Sequence, residues 1–344
     1  MSKAIVITAH GGPEVLAFKD WTVGDPRPGQ LRLRQRAIGV NFIDVYQRTG
    51  LYPTEPPFVG GNEGAGEVVA VGEGVSGFKI GDRVAYQGAR GSYAEERLLP
   101  VDRAVPLPAG ISYDDAAAAM LKGLTAYYLL CRTFPVRPGH TILFHAAAGG
   151  VGLLACQWAK ALGATVIGTA GSDEKTALAR ANGCDHVINY RTENFATRVK
   201  ELTAGKGVDV VYDGNGKDTF EASLDCLRPL GMMVSFGNAS GPVSIPNLGI
   251  LASKGSLFVT RPTTGTYLAR REDLLQGAKA LFEVIANGAV KVHIGQRFAL
   301  KDAAEAHRAL EGRKTVGSTL LIPCCWTGSG REAKSGSPGG WQSG

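Results

Sequence analysis

Cysteine is scarce in this 344-residue chain, and its placement argues against several kinds of site. All six cysteines follow residue 130, and no two of them form a C-x-x-C pair. This distribution argues against a disulfide scaffold and against a cysteine-based zinc site. Buried thiols in a reducing compartment are the simplest interpretation of Cys131, Cys156, Cys184 and Cys226.

The chain also lacks a block of basic residues and an uninterrupted apolar span. Its net charge is +6, but the basic residues are scattered and are not interleaved with aromatic residues, which argues against nucleic-acid binding as the main role. The most apolar stretch, 142–164, is interrupted by His145, Gln157 and Lys160, so it does not predict a membrane span. The N-terminus predicts a first strand and not a signal peptide. We therefore expect a soluble, cytoplasmic protein.

The chain does contain a glycine turn in the setting that a dinucleotide-binding unit requires. An apolar strand at 142–144 is followed by Ala147, Gly149 and Gly152, then by a helical pattern and a second strand. The result is an A-x-G-x-x-G variant of the fingerprint. Gly149 lets the backbone approach a pyrophosphate, Gly152 lets the helix lie close to the strand, and the helix N-terminus offers free N–H groups. We predict a bound dinucleotide; a tight turn without ligand is the alternative.

The end of the second strand favours NADPH over NADH. In an NAD site an acidic side chain at this point holds the ribose hydroxyls, whereas here the strand runs into small residues up to Ser172. Lys175 and Tyr190 follow within reach of a 2′-phosphate, and a lysine there contributes roughly 1.5–3 kcal/mol. The alternative for Lys175 is a solvated helix residue, and the neighbouring acids Asp173 and Glu174 weigh against a phosphate.

The order of predicted elements indicates an α/β chain with two kinds of domain. Residues 4–105 are β-rich and fit an irregular antiparallel barrel, and a helix capped by Ser112 is expected from Asp114 to about Leu130. The following strands and helices alternate as in a doubly wound parallel sheet, or Rossmann domain. Strands are expected at 141–145, 165–169, 186–189, 208–212, 231–236 and 256–260, and helices at 151–162, 173–182, 192–203 and 218–227.

The C-terminal section is expected to return to the first domain. A helix is predicted at 271–287 and a short strand at 320–322, which should pack on the β-rich part. The first domain therefore comprises 1–125 and 263–323, and the cofactor domain comprises 126–262. Residues 324–344 are rich in Gly, Ser and Pro, and we expect them to be a disordered tail.

Several segments together resemble one family. The resemblance is to the zinc-free medium-chain dehydrogenase/reductases, and within them to the NADPH:quinone oxidoreductases related to zeta-crystallin. It covers about residues 3–323. The segments with the clearest match are 37–46, 50–53, 61–66, 121–125, 145–152 and 234–238. The resemblance implies that the β-rich part is a GroES-like catalytic domain.

The residues at the zinc-ligand positions of related enzymes predict chemistry without a metal. The zinc-dependent branch has a cysteine near position 41 and a histidine at 62, where this chain has Asn41 and Asn62. No catalytic zinc is therefore expected. Hydride transfer from NADPH to an electron-poor acceptor is the simplest remaining chemistry, and a quinone suits it because it needs orientation more than acid catalysis.

The resemblance also implies which residues form the site. It places Asn41, Asp44 and Tyr46 beside the nicotinamide and the acceptor, with Tyr46 as a hydrogen-bond donor to a quinone oxygen and Asp44 orienting its neighbours. Core packing for Tyr46 and a turn or cap for Asp44 are the structural alternatives. The further cofactor contacts that the resemblance implies are Phe42, Thr125, Gly150, Val151, Phe236, Gly237, Asn238, Thr260, Arg261 and Arg313.

Some features leave the interpretation open. Asn215 is polar where relatives carry an apolar residue, which puts the shape of its loop in doubt. Relatives pair through an edge strand, and the apolar segment 256–260 suits a homodimer unless it is covered within the monomer. A reductase of activated C=C bonds, such as enones or alkenals, would use the same scaffold. A non-catalytic RNA-binding protein is the alternative from another class.

Overall fold

The N-terminal part consists mainly of strands in the computed structural model, which describes residues 2–323 of the chain. In chain order its strands are β1 (Ser2–Ile7), β2 (Leu16–Trp21), β3 (Gln30–Val40), β4 (Phe58–Val59), β5 (Glu63–Val71), β6 (Arg83–Gln87), β7 (Glu96–Pro100) and β8 (Val105–Pro106). They pair antiparallel with one another. The predicted tail at 324–344 lies outside the described residues.

Two helices of this part position the site. The short helix α1 (Phe42–Thr49) directly follows β3, so the turn at Asn41 separates an extended strand from a helix. The long helix α2 (Tyr113–Tyr128) begins one residue before the predicted Asp114, and its predicted cap is present: the Ser112 hydroxyl accepts the backbone N–H of Asp115 at 2.9 Å. Helix α2 packs on β3 and β5, and it also contacts the first helix of the next domain.

The middle of the chain alternates strands and helices. These are β9 (Thr141–Phe144), α3 (Gly150–Ala161), β10 (Thr165–Ala170), α4 (Asp173–Ala181), β11 (His186–Asn189), α5 (Phe195–Leu202), β12 (Val208–Asp213), α6 (Phe220–Leu224), β13 (Leu227–Ser235), α7 (Gly249–Ser253) and β14 (Phe258–Thr260). All six strands are parallel, in the order β11–β10–β9–β12–β13–β14. Starting from β9, the chain first adds β10 and β11 on one side and then β12, β13 and β14 on the other. The point where the strand order reverses, which is where ligands bind in such sheets, therefore lies between the carboxyl ends of β9 and β12.

The C-terminal section joins the first part of the chain. It consists of α8 (Thr264–Tyr267), α9 (Arg271–Ala286), β15 (Ile294–Ala299), α10 (Ala303–Glu311) and β16 (Ser318–Ile322). Strand β16 pairs antiparallel with β3 and parallel with β15. The sheet therefore runs β15–β16–β3–β5–β6–β8, with β7 also on β3.

The predicted α/β class, with a Rossmann sheet and a separate β-rich part, is confirmed. Helix α7 and strand β15 were not predicted from the sequence, and β13 begins four residues earlier than the predicted 231. The domain boundaries at 125/126 and 262/263 stay a prediction. Within residues 2–323, no helix combines the length and apolar character that crossing a bilayer requires.

Candidate active site

The glycine turn forms a tight cradle at the start of α3. Ala146 adopts a left-handed φ of 54°, and the Gly149 N–H donates to the Ala146 carbonyl at 2.9 Å. A Cβ on Gly152 would lie 2.7 Å from the Cα of Ala147, so only glycine lets the helix approach the turn this closely. The first N–H groups of a helix have no intrahelical partner, and they attract anions. Gly150 and Val151 belong to this first turn, so the residues here fit a pyrophosphate.

Cationic side chains gather beyond the end of β10. The Lys175 ammonium donates to the Arg313 carbonyl at 2.7 Å, which joins α4 to the loop before β16. Burial lowers the pKa of Lys175, and the nearby cations Arg191 and Arg313 lower it further. The Ser172 hydroxyl caps α4 by accepting the Lys175 backbone N–H at 3.3 Å. These charges fit a 2′-phosphate, and sequence reasoning did not identify Arg191 as one of them.

Tyr190 directly follows β11, and its backbone N–H donates to the carbonyl of Ala170, the last residue of β10, at 3.1 Å. A Cβ on Gly171 would lie 2.7 Å from the Tyr190 Cζ, so the small residues after β10 make room for this ring. Where an NAD site has an acidic side chain, these small residues therefore leave space that Tyr190 partly fills.

Residues from both parts of the chain meet at Tyr46. Its hydroxyl accepts the backbone N–H of Asn238 at 3.1 Å, so α1 is joined to the loop after β13. The rings of Tyr46 and Tyr52 lie 5.1 Å apart, and the Arg261 guanidinium donates to the Tyr52 hydroxyl at 3.2 Å. Burial raises the pKa of Tyr46, so the phenol keeps its proton. That proton is not needed for the bond with Asn238, and within residues 2–323 no other hydrogen bond of the Tyr46 hydroxyl is present.

Asp44 lies on the same helix as Tyr46, and its side chain is buried. Its carboxylate accepts the Asn41 backbone N–H at 2.8 Å, the Asn62 amide at 2.7 Å and the Tyr93 hydroxyl at 2.9 Å. Burial raises the pKa of Asp44 to about 6, against these hydrogen bonds, which lower it. The carboxylate therefore has both a capping role at α1 and a role in orienting Asn62 and Tyr93. This arrangement fits a positioning residue better than a base.

A second buried group continues from Tyr93. The Arg48 guanidinium can only donate, so His307 accepts from it through Nδ1, at 3.0 Å. His307 is then the Nε2–H tautomer and donates to the Tyr93 hydroxyl at 3.0 Å, which in turn donates to Asp44. Burial, together with Arg48, lowers the pKa of His307 to about 3, so the ring is neutral near pH 7. Arg48 is also paired with Glu311.

A buried ion pair joins Asn41 to α2. Glu63 begins β5, and its carboxylate accepts the Asn41 side-chain amide at 2.9 Å and the Lys122 ammonium at 3.0 Å. Both residues belong to the segments that carry the family resemblance, but sequence reasoning gave neither of them a role. A charged residue inside an alanine-rich helix was the available signal for Lys122.

The remaining predicted contacts lie around this cleft. Phe42 opens α1 with its ring 6.0 Å from that of Tyr46, and the buried Thr125 donates its hydroxyl to the Leu121 carbonyl at 2.7 Å. Phe236 and Gly237 follow β13, and Thr260 ends β14. Phe236, Gly237 and Thr260 thus lie at the carboxyl ends of Rossmann strands, and the roles of all five residues as cofactor contacts stay predictions.

The loop that holds Asn215 is fixed by its own backbone. The Asn215 and Gly216 N–H groups donate to the Asp213 carboxylate at 2.7 and 3.2 Å. The Asn215 carbonyl accepts the Ser240 hydroxyl at 2.8 Å, so the backbone of this loop is bonded to the segment after β13. The polar Asn215 side chain takes no part in these bonds.

Metal ligands are not grouped in the described part of the chain. Between residues 2 and 323, no cluster of three or more His, Cys, Asp or Glu side chains is placed to hold a metal ion. Asn41 and Asn62 instead bind Glu63 and Asp44 through their amides.

Comparison with known proteins supplies the family context. Residues 27–109 match the family described as "Alcohol dehydrogenase GroES-like domain", and residues 150–285 match "Zinc-binding dehydrogenase". The quinone oxidoreductase of Pseudomonas aeruginosa is 57% identical over 325 residues, covering 94% of this chain and 100% of the relative. The 2-haloacrylate reductase of a Burkholderia species is 47% identical over 334 residues, covering 94% and 99%.

A solved structure extends this similarity to three dimensions. Escherichia coli quinone oxidoreductase, crystallised in complex with NADPH, matches with a TM-score of 0.92 and 52% identity. The match covers 93% of this chain and 100% of that chain.

Proposed function

The chain belongs to the zinc-free quinone oxidoreductases of the medium-chain dehydrogenase/reductase family, and on this premise we propose how its cleft reduces a quinone. The protein is an NADPH-dependent quinone oxidoreductase, as the sequence predicts. Bound NADPH supplies the hydride. The residues of the chain bind the cofactor, orient the acceptor and stabilise charge on it.

The observation on which this proposal depends is the junction at Tyr46. Its hydroxyl accepts from Asn238 in the cofactor-binding part and keeps its own proton for an acceptor oxygen. A quinone oxygen gains negative charge as it is reduced, and a positioned O–H donor stabilises that charge. Asp44 and Asn41 hold α1 in place through the bond between the Asn41 N–H and the carboxylate.

Steady-state kinetics tests which class of molecule accepts the hydride. We expect NADPH oxidation with 1,4-benzoquinone and with a naphthoquinone to proceed at a higher kcat/KM than with an alkenal, and to survive treatment with a chelator. The 2-haloacrylate reductase among the relatives makes reduction of activated C=C bonds the second candidate. A preference for the alkenal would favour it. No relative reported above supports RNA binding.

Replacing Lys175 by methionine should weaken the preference for NADPH. The lysine lies with Arg191 and Arg313 in the cationic group, and one charge-assisted bond corresponds to about a tenfold to hundredfold preference. The ratio of kcat/KM for NADPH to that for NADH should fall by this factor. Lys160→Met is the matched control, because Lys160 is a surface residue paired with Asp185. An unchanged ratio for Lys175→Met would show that the 2′-phosphate is held elsewhere.

The activity should fall as the pH drops through about 6, where Asp44 gains a proton. Protonation turns a carboxylate oxygen that accepts hydrogen bonds into a donor. Tyr93→Phe removes a bond that lowers the pKa of Asp44, so the acid limb of the kcat/KM profile should move up by about one unit. His307 stays neutral above about pH 3 and adds no step in this range. Tyr113→Phe, at the surface end of α2, should leave the profile unmoved.

Strand β14 supports the proposal of a homodimer. It lies at one end of the Rossmann sheet, and Phe258 on it is 56% exposed. An open strand edge with an exposed aromatic ring favours pairing with a second copy. Light scattering should give twice the 36.1 kDa chain mass, and Phe258→Glu should give the single mass. A wild-type monomer would contradict this proposal.

We also propose a cytoplasmic location. Cys156, Cys184 and Cys226 are buried free thiols, which suits a reducing compartment. Cys324 and Cys325 lie outside the described residues.

A further inference from the structure

The buried pair Lys122–Glu63 lies between the two halves of the cleft. The side chains of Lys122 and Glu63 are 7% and 0% exposed, and their charged atoms are 3.0 Å apart. Taking two charges out of water is costly, and replacing such a pair by apolar residues is often neutral or stabilising. Packing alone therefore does not explain why the chain keeps this pair at the site.

The chain builds a niche for the Glu63 carboxylate. One of its oxygens accepts the Leu121 backbone N–H at 2.6 Å, and the other accepts the Asn41 amide and the Lys122 ammonium. A Cβ on Gly39 would lie 2.6 Å from the Glu63 Cδ, so the glycine in β3 provides the space. The position of this carboxylate therefore sets the orientation of the Asn41 amide.

The lysine reaches the other half of the cleft. A Cβ on Gly150 would lie 2.6 Å from the Lys122 Cδ, so the lysine stem lies directly against the first residue of α3. Its ammonium has three N–H donors. Among residues 2–323, Glu63 is the hydrogen-bond partner that the structure gives it. Donors remain for a further acceptor beside a helix N-terminus that already favours anions.

We propose that Lys122 is a cofactor-binding residue that donates to the phosphate and ribose oxygens on the nicotinamide side of NADPH. Through Glu63 the same ammonium fixes Asn41, so the position of the cofactor and the orientation of the Asn41 amide depend on one charge pair. This inference rests on the proposed use of NADPH. It separates Lys122, which serves the nicotinamide half, from Lys175, which serves the adenosine half.

Calorimetric titration with two ligands tests the assignment. One ligand is NADPH, and the other is adenosine 2′,5′-bisphosphate, which keeps the 2′-phosphate and lacks the nicotinamide half. The double variant Lys122→Met/Glu63→Gln removes both charges, so no buried carboxylate is left unpaired and the net charge is unchanged. We expect its Kd for NADPH to rise about tenfold to a hundredfold, and its Kd for the bisphosphate to stay within about twofold.

Two single variants complete the comparison. Lys175→Met should weaken both ligands, and Lys160→Met, on the exposed end of α3, should weaken neither. The assignment is overturned if the double variant binds NADPH within about twofold of wild type, or if it loses both ligands equally. Should it lack a cooperative thermal transition, Lys122→Gln/Glu63→Gln is titrated with the same expectations. Failure of the wild type to bind NADPH would instead overturn the proposed function.

Discussion

Replacing Gly152 by alanine should raise the Kd for NADPH by more than about a hundredfold. The new Cβ would lie 2.7 Å from the Cα and from the carbonyl oxygen of Ala147, which are backbone atoms and cannot rotate away. Helix α3 must then move back from the turn, together with the N–H groups at its start. Losing two bonds from N–H groups to a phosphate, at about 1.5–3 kcal/mol each, accounts for an effect of this size.

The matched control for this variant is Gly110→Ala. A Cβ on Gly110 has nothing within 4 Å, so the same chemical change should leave the Kd for NADPH unmoved. Circular dichroism establishes that both variants are folded before the titration. If Gly152→Ala is folded and binds NADPH within about tenfold of wild type, the turn at 147–152 is not where the pyrophosphate is held.

Replacing Arg48 by methionine should lower the free energy of unfolding by about 3–5 kcal/mol. Arg48 is 1% exposed, and its guanidinium donates to the Gly11 carbonyl at 3.1 Å, to His307 and to both oxygens of Glu311. The variant leaves the buried His307 nitrogen and the partly buried Gly11 carbonyl without their donor, at about 1–3 kcal/mol for each unsatisfied group, and the exposed Glu311 carboxylate loses its partner. The measurement is urea unfolding at pH 7 with the slope compared between variants.

Two further variants distinguish the loss of buried hydrogen bonds from the loss of a charge. Arg308→Met removes an exposed arginine that pairs with Glu305 on the same helix, and it should cost less than about 1 kcal/mol. Arg48→Met/Glu311→Gln should recover part of the loss, because the carboxylate left behind is then neutral. A loss below about 1 kcal/mol for Arg48→Met alone would contradict the view that this group holds α10 on α1.

The Rossmann half was predictable from the sequence because of how parallel strands are buried. Such strands are covered on both faces and appear as short apolar runs between turns, and the predicted strand at 141–145 matches β9 to within one residue, with Ile142, Leu143 and Phe144 all buried. Strand β15 was missed because it is at the edge of its sheet, has no fully buried residue and pairs with β16 across an intervening helix. Its residues alternate only between partly buried and exposed, and 294–299 contain no apolar run that would predict a strand.

The candidate site was likewise predictable only in part. The glycine turn follows from spacing alone, while Asn41, Asp44 and Tyr46 were named through the family resemblance. The buried partners Glu63, Lys122, Tyr93, Arg48 and His307 come from distant segments of the chain. One sequence shows that these polar residues exist, but it does not show which of them meet when the chain folds.

The bond from Lys175 to the Arg313 carbonyl has a consequence for building chimaeras. Lys175 belongs to the stretch between β9 and β14, whereas Arg313 belongs to the segment that returns to β3 just before β16. Transplanting the parallel-sheet stretch from an NADH-using homologue would therefore leave Arg313, one of the three cations near the proposed 2′-phosphate position, with the recipient. A graft intended to exchange the nucleotide requirement must carry the 312–317 loop as well, as a second insert.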